Sequence, residues 1–231
     1  MKHLVVLSGA GMSAESGIAT FRDSGGMWEQ YSIEEVATPE GFRRNPQLVL
    51  DFYNARRKAA FEAEPNKGHI GLAEMEKDFK VSIITQNVDG LHERAGSTNV
   101  VHLHGELSKA RSTTDPSLIY TLTPDKPDIH IGDRCEKGSQ LRPHIVWFGE
   151  AVPMIEKAID IVNTADILVV IGTSLNVYPA AGLLNYVKPG TPVYLIDPKE
   201  VKTYQQNIHF IQKGASEGME ELRRLLIKYN R

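Results

Sequence analysis

The sequence contains only one cysteine, Cys135, among its 231 residues. A disulfide within the chain needs two cysteines, so no disulfide framework can form and we expect a reducing, cytoplasmic location. Long hydrophobic runs are missing as well. The first apolar run, Leu4–Leu7, leads straight into glycines and is too short for a signal segment or a membrane span. We therefore expect no membrane association.

An excess of charge of one sign is also missing. The chain has 26 lysines and arginines against 29 aspartates and glutamates, which gives a formal net charge of -3. This balance provides no general attraction to nucleic acid or to an anionic membrane, and we expect neither as a partner. The length allows one or two domains with a sizeable core.

Four short apolar runs, bounded by polar or turn residues, predict strands. They are Leu4–Leu7, Val81–Thr85, Ile167–Ile171 and Val193–Ile196. Continuous apolar runs of this length are typical of parallel strands that are covered on both faces. Helical patterns lie between or after them, at Pro46–Ala63, His69–Lys77, Pro153–Thr164 and Glu217–Tyr229. This alternation predicts an α/β fold with a Rossmann-like, doubly wound parallel sheet.

Two segments interrupt the alternation of strands and helices. Residues 23–79 are largely helical and long for one crossover, and residues 108–143 have scattered Pro, Gly, Asp, Ser and Thr. We expect these two segments to form a smaller inserted lobe. The Rossmann-like domain would then comprise residues 1–22, 80–107 and 144–231, with a ligand site in the cleft between the two lobes.

The first predicted strand runs into a loop with the sequence Ser8-Gly9-Ala10-Gly11-Met12-Ser13. Its two glycines permit a tight turn and a close approach to a phosphate group, which the start of the next helix would favour. A tight strand–helix turn without a ligand explains the same glycines equally well. The third glycine, Gly17, comes too late for the usual dinucleotide fingerprint, which disfavours a simple dehydrogenase.

Three further polar stretches follow expected strand ends, where α/β enzymes gather functional side chains. They are Gln86-Asn87-Val88-Asp89, His102-Leu103-His104-Gly105-Glu106 and Gly172-Thr173-Ser174. A carboxamide and a carboxylate can hydrogen-bond a ribose, and a histidine can accept a proton near neutral pH.

Together with Gly17-Ile18-Ala19-Thr20-Phe21-Arg22, these stretches resemble the motifs of the sirtuin family over nearly the whole chain. Ala19 departs from the family's frequent proline without removing a chemical group. The resemblance implies an enzyme that uses NAD as co-substrate, with acylated-lysine proteins as substrates. The implied reaction releases nicotinamide, O-acyl-ADP-ribose and the free lysine.

The resemblance also assigns roles to individual residues. His104 matches the general base that deprotonates the nicotinamide ribose, and Asn87 and Asp89 match residues that orient that ribose. The implied NAD-binding residues are Gly9, Ala10, Gly11, Ser13, Phe21, Arg22, Gln86, Gly172, Thr173, Ser174, Asp197 and Ala215. Asp197 stands where the family usually has asparagine; it can accept both ribose hydroxyls and would disfavour a 2′-phosphate. His102 falls outside the catalytic position and is expected to be packed or solvated.

On the substrate side, the stretch from His144 to Glu150 resembles the family segment that pairs with an extended peptide. It implies substrate binding by Val146, Phe148 and Gly149, although a core strand would explain the same apolar residues.

Two residues on one predicted helix bear on which acyl group the enzyme would remove. Tyr53 and Arg56 are three residues apart on a predicted helix and therefore share a face. They resemble the Tyr-x-x-Arg of the sirtuin subclass that removes malonyl, succinyl and glutaryl groups. Arginine binds carboxylates bidentately, so we expect an acidic acyl preference with acetyl removal as a second activity. A solvated helix face is the alternative.

The zinc module of the family is incomplete in this sequence. Two Cys-x-x-Cys pairs usually hold a structural zinc, but here Ser112 and Asp115 replace the first pair, and Cys135 is followed by Gly138 in the second. We therefore expect no zinc. Two alternative functions stay open, a mono-ADP-ribosyltransferase and a non-catalytic NAD sensor. The sequence predicts no particular oligomeric state.

Overall fold

The computed structural model describes residues 1–20, 31–201 and 208–227. In chain order the strands are β1 (His3–Ser8), β2 (Lys80–Thr85), β3 (Val100–His102), β4 (Gly105–Ser112), β5 (Ile119–Thr121), β6 (Leu141–Ile145), β7 (Ile167–Ile171), β8 (Val193–Ile196) and β9 (Ile208–Ile211). The helices are α1 (Gly11–Ala14), α2 (Ile33–Val36), α3 (Pro39–Arg44), α4 (Pro46–Glu62), α5 (Lys67–Glu74), α6 (Leu91–Arg94), α7 (Ile155–Asn163) and α8 (Ala215–Leu226). Short 3-10 helices occupy Met75–Lys77 and Ala180–Tyr186.

Six strands form one parallel sheet in the order β3-β2-β1-β7-β8-β9. Residues of β1 alternate between two apolar layers. Leu4 and Val6 pack on the side of α8, whereas Val5 and Leu7 pack on the side of α7. Burial on both faces explains why these strands are continuous apolar runs. The predicted Rossmann-like α/β fold is therefore confirmed.

The four predicted strands match β1, β2, β7 and β8 to within one residue. Two strands of this parallel sheet, β3 and β9, were not included in the apolar runs, and they lie at its two edges. Edge strands are covered less completely, as the exposed Phe210 of β9 illustrates. Their sequences therefore mix polar with apolar residues instead of forming continuous apolar runs. Within the described ranges, no helix is long and apolar enough to span a bilayer.

Strands β4, β5 and β6 form a separate antiparallel sheet with β4 in the middle. Buried hydrogen bonds attach this sheet, and the loop between β5 and β6, to α4. Asn54 donates to the carbonyl oxygen of Ile129 and accepts from the Ile129 backbone N–H, both at 3.0 Å. The buried guanidinium of Arg57 donates to the carbonyl oxygens of Leu107 and Pro127. The division of the chain into two lobes remains a prediction. Two of its four expected boundaries, 107/108 and 143/144, fall within β4 and β6.

Helix α4 begins at a well-formed cap, because the Asn45 side chain accepts from the Leu48 backbone N–H at 3.2 Å and Pro46 opens the first turn. Val49, Phe52 and Tyr53 on its buried face join Trp147 in one apolar cluster. The cap and this cluster fix α4, which carries the predicted specificity residues.

Candidate functional site

The carboxyl ends of the parallel strands gather most of the predicted site residues. Gly9 follows β1, Gln86 follows β2, His104 follows β3 and Gly172 follows β7. The strand order reverses between β1 and β7, and the crevice outside such a switch point is where open α/β sheets bind ligands.

Close backbone packing shapes the loop between β1 and α1. The Gly9 N–H donates to Ile171 at 3.0 Å and the Gly11 N–H donates to Gly172 at 2.8 Å. A Cβ on Gly9 would lie only 2.6 Å from Thr173 Cβ and 2.7 Å from the Gly172 oxygen. These glycines are therefore required by the packing of the β1 and β7 loops against each other, in addition to any contact with a phosphate.

Ser13 joins the two predicted ribose-orienting side chains. Its hydroxyl donates to Asp89 Oδ2 at 3.0 Å and accepts from Asn87 Nδ2 at 3.1 Å. Asp89 also accepts the Leu91 backbone N–H through Oδ1, at 3.1 Å. Burial raises the pKa of the Asp89 carboxyl above its ordinary value, although these hydrogen bonds oppose the shift. Asn87 and Asp89 are held in fixed orientations as a result.

His104 is oriented through one ring nitrogen. Its Nδ1 lies 3.1 Å from the backbone oxygen of Gln86, and because a carbonyl can only accept, Nδ1 carries the proton. The lone pair therefore lies on Nε2. Burial lowers the pKa of His104 below its ordinary value, so the ring is neutral and basic near pH 7. The Gln86 side chain donates to Thr173 Oγ1 at 3.0 Å and links the β2 and β7 loops.

One cavity brings together residues that the sequence assigned to three different roles. Ala10 and Ser13 of the cofactor set, Asn87 and Asp89 of the catalytic set, and Arg56 of the substrate set all line it. The Arg56 guanidinium is near enough to Asp89 to interact with its carboxylate. The cavity thus combines a half-buried cation with the carboxamide and carboxylate expected to hold a ribose.

Tyr53 lies deeper than Arg56. The Arg56 Cζ is 5.5 Å from the centre of the Tyr53 ring, yet Tyr53 is only 2% exposed. Its hydroxyl oxygen accepts a hydrogen bond from Trp147 Nε1 at 3.1 Å. Burial raises the pKa of the Tyr53 hydroxyl, so the phenol is neutral and remains able to donate.

The predicted substrate segment is attached to His104. The Val146 N–H donates to the His104 oxygen and the Phe148 N–H donates to the Ala37 oxygen, both at 2.9 Å. Phe148 and Gly149 are exposed while Trp147 is buried. Gly149 has a φ of +88°, a conformation that glycine adopts readily.

The remaining predicted NAD residues lie farther along the same edge of the sheet. Asp197 follows β8 and accepts the Lys199 N–H at 2.9 Å. Ala215 is buried at the start of α8, and Ser174 is exposed. Phe21 and Arg22 lie outside the described residues.

Two groups of charged residues near the site were not predicted. Glu150 accepts from Arg142 at 2.7 and 3.0 Å and from the Trp147 N–H at 2.8 Å. Separately, His102 bonds both the Asn87 oxygen and Glu93. The Glu150 group lies within residues 142–150, whereas the His102 group joins the end of β3 to the loop after β2 and to α6. Only the second group therefore depends on contacts that no local spacing in the sequence indicates.

The positions of the missing zinc cysteines have a different bonding pattern. Ser112 Oγ accepts from Cys135 Sγ at 3.4 Å, and Asp115 pairs with Lys137 at 2.7 Å. Within the described ranges, no group of three or more His, Cys, Asp or Glu side chains is placed to hold a metal ion. These residues do not fit a structural zinc, and the absence of zinc in the protein remains a prediction.

Comparison with known proteins identifies the family of the chain. An NAD-dependent protein deacylase of Bacteroides thetaiotaomicron is 63% identical over 231 residues, covering 98% of this chain and 99% of the relative. A solved Sir2 homologue with ADP-ribose has a TM-score of 0.91 at 42% identity, covering 99% of this chain and 93% of that one. A Sir2 homologue with NAD has a TM-score of 0.88 at 43% identity, covering 100% and 91%. Residues 9–179 match the Sir2 family, and the chain belongs to that family.

Proposed function

We propose that this protein is an NAD-dependent protein-lysine deacylase that prefers acidic acyl groups, succinyl and malonyl, and also removes acetyl. NAD is the co-substrate and acylated-lysine proteins are the substrates. The preference for an acidic acyl group is supported by one observation above all. Arg56 lines the cavity that Asn87 and Asp89 also line, so an acyl chain that reaches the reacting ribose would have a guanidinium beside it.

The predicted NAD residues fit the co-substrate. The β1 and β7 loops meet at glycines where a Cβ would clash, and such backbone admits a phosphate closely. Asn87 and Asp89 present a carboxamide and a carboxylate, which are suitable partners for ribose hydroxyls and the nicotinamide amide. When bound, NAD would supply the ADP-ribosyl group whose ribose hydroxyl accepts the acyl group, with nicotinamide as the leaving group.

The chain's own residues would supply a general base and a segment that binds the substrate peptide. His104, neutral and with its lone pair on Nε2, can take a proton from a ribose hydroxyl. Val146, Phe148 and Gly149 would hold the peptide beside it, because the Val146 N–H is bonded to the His104 oxygen. One backbone hydrogen bond therefore holds the segment proposed to bind the peptide next to the residue proposed as the base.

A carboxylate on the acyl group would gain a charge-assisted hydrogen bond from Arg56, whereas an acetyl methyl would gain none. Such bonds contribute about 1.5–3 kcal/mol, which corresponds to roughly a 10- to 150-fold difference in affinity. Burial lowers the pKa of the Arg56 guanidinium from its ordinary value. We take the group as cationic near neutral pH because arginine side chains stay protonated in proteins.

The test is nicotinamide release from matched succinyl-lysine and acetyl-lysine peptides, with and without NAD. We expect NAD-dependent turnover on both peptides and a lower KM for the succinyl peptide. Arg56→Met should raise that KM at least tenfold while changing acetyl turnover little. Arg44→Met, at an exposed position on α3, is the matched control. Equal losses on both peptides in Arg56→Met would contradict the acidic preference, and radiolabel left on protein would favour ADP-ribosyl transfer.

A further inference from the structure

The hydrogen bond between Trp147 and Tyr53 determines what the Tyr53 hydroxyl can do. An indole N–H can only donate, so in this 3.1 Å contact the phenol oxygen must accept. Its own hydrogen is then available to a different acceptor. No residue of the ranges 1–20, 31–201 and 208–227 accepts it. Both side chains are only 2% exposed, so bulk water is not a ready partner either.

Trp147 is itself held firmly in place. The Arg142 guanidinium carbon lies 3.4 Å from the centre of a Trp147 ring. The ring centre of Phe42 lies 5.3 Å from that of Trp147. The Trp147 backbone N–H donates to Glu150, which is also bonded by Arg142. Side chain and backbone are both restrained, so the direction of the indole N–H is fixed.

We infer that Trp147 is a positioning residue for acyl specificity: by occupying the Tyr53 oxygen as acceptor, it leaves the Tyr53 hydroxyl to donate to the acyl carboxylate that Arg56 binds. The inference rests on the proposed acidic-acyl function. Its observations are separate from that proposal, because they concern a contact between α4 and the substrate segment. Trp147 acts through Tyr53 and touches no reacting atom.

The effect should be selective for acidic acyl groups. Without the indole donor, nothing fixes which side of the Tyr53 oxygen is occupied, so its hydroxyl hydrogen can rotate out of the direction of the acyl carboxylate. A carboxylate would then lose one hydrogen bond, which we expect to raise KM about five- to tenfold. An acetyl group makes no such bond, so its KM should change less than about twofold.

The experiment compares Trp147→Phe with Tyr53→Phe and with the double variant, using succinyl-lysine and acetyl-lysine peptides. Phenylalanine keeps an aromatic ring for the Arg142 contact but removes the N–H. We expect each single variant to raise the succinyl KM, and the double variant to be no worse than Tyr53→Phe alone. Phe42→Leu is the control, since it alters packing against Trp147 and keeps the indole donor.

A direct NMR measurement of the hydrogen bond between Trp147 and Tyr53 distinguishes failure of this inference from failure of the proposed function. The chain has two tryptophans, so the Trp147 indole N–H signal in an NMR spectrum is assigned by its loss in Trp147→Phe. That signal should move upfield in Tyr53→Phe and stay in place in Arg44→Met.

Four results would overturn the inference. If the wild-type protein shows no succinyl preference, both the proposed function and this inference fail. If the preference exists but Trp147→Phe retains it, or Trp147→Phe and Phe42→Leu lose it equally, only the role of Trp147 fails. If the Trp147 indole N–H signal does not move in Tyr53→Phe, the hydrogen bond on which the role depends is not formed.

Discussion

The imidazole of His104 donates from Nδ1 to the backbone oxygen of Gln86 at 3.1 Å. This contact favours the tautomer that is protonated at Nδ1 and leaves the basic lone pair on Nε2. Gln86 is in turn bonded to Thr173 through its side chain. The candidate base is therefore positioned by the loop after β2, which also carries Asn87 and Asp89.

The pH dependence of turnover should follow from the environment of His104. Burial lowers the pKa of His104 below its ordinary value of about 6.5, and a general base works only when neutral. We expect the acidic limb of kcat/KM to have its midpoint below about pH 6.5 and activity to stay level from pH 7 to 8. Initial rates over pH 5 to 9 with saturating NAD measure this.

His104→Ala should lower kcat/KM by about 10²- to 10⁴-fold, the usual contribution of a general base. The variant should also lose the acidic limb, which shows that the limb belongs to His104 rather than to Asp89. A midpoint above pH 7 in the wild-type protein, or an unchanged limb in the variant, would rule out this assignment.

Gly9→Ala should damage both the loop and co-substrate binding. The new Cβ would lie 2.6 Å from Thr173 Cβ, so the β1 and β7 loops would have to move apart at an overpacking cost of about 1–3 kcal/mol. We expect a lower Tm and a KM for NAD raised roughly tenfold. Gly71→Ala is the control, because its Cβ would meet Met219 at an ordinary 3.7 Å and should raise stability slightly. A normal KM for NAD in Gly9→Ala would mean that the loop does not constrain the co-substrate.

The sequence predicted the elements that local patterns determine. Strands β1 and β7 are continuous apolar runs because both faces are covered, and His104 stands in a motif whose order along the chain resembles a family. Contacts between distant residues have no such pattern. Trp147 and Tyr53 are 94 residues apart, so their hydrogen bond follows from how α4 packs on the substrate segment. The sequence placed Tyr53 beside Arg56 correctly but did not predict that its oxygen is already bonded.

His102 should make stability depend on pH. Burial alone would lower the pKa of His102, but its bonds to Glu93 at 2.7 Å and to Asn87 at 3.0 Å outweigh burial and raise that pKa. A raised folded pKa stabilises the protein fully below the unfolded value, about 6.5. That stabilisation is lost as the pH rises through the folded value.

The measurement is urea unfolding at several pH values between 6 and 9 for the wild-type protein and His102→Gln. We expect a difference in unfolding free energy on the order of 1 kcal/mol at pH 6, which shrinks toward pH 9. Glu93→Gln should reduce the same difference, since it removes the carboxylate that raises the pKa. A gap that stays constant across this range would mean that His102 is neutral in the folded protein.

The region of the missing zinc cysteines should be stable without metal. Ser112 is 2% exposed, and its hydroxyl accepts from the Thr114 and Asp115 backbone N–H groups, both at 3.2 Å, and from Cys135 Sγ. Ser112→Ala would leave these donors without their acceptor and should cost about 1–3 kcal/mol. Lys137→Ala removes only an exposed ion pair to Asp115 and should cost less than about 1 kcal/mol.

Elemental analysis and thermal unfolding with and without a chelator complete this test. We expect less than stoichiometric zinc and the same Tm with EDTA, because hydrogen bonds hold the two turns that a metal would otherwise join. Zinc bound at one equivalent, with a Tm that falls on chelation, would show that other ligands complete a site. In that case Ser112→Ala should affect stability no more than Lys137→Ala, since the metal rather than the Ser112 hydroxyl would connect the turns.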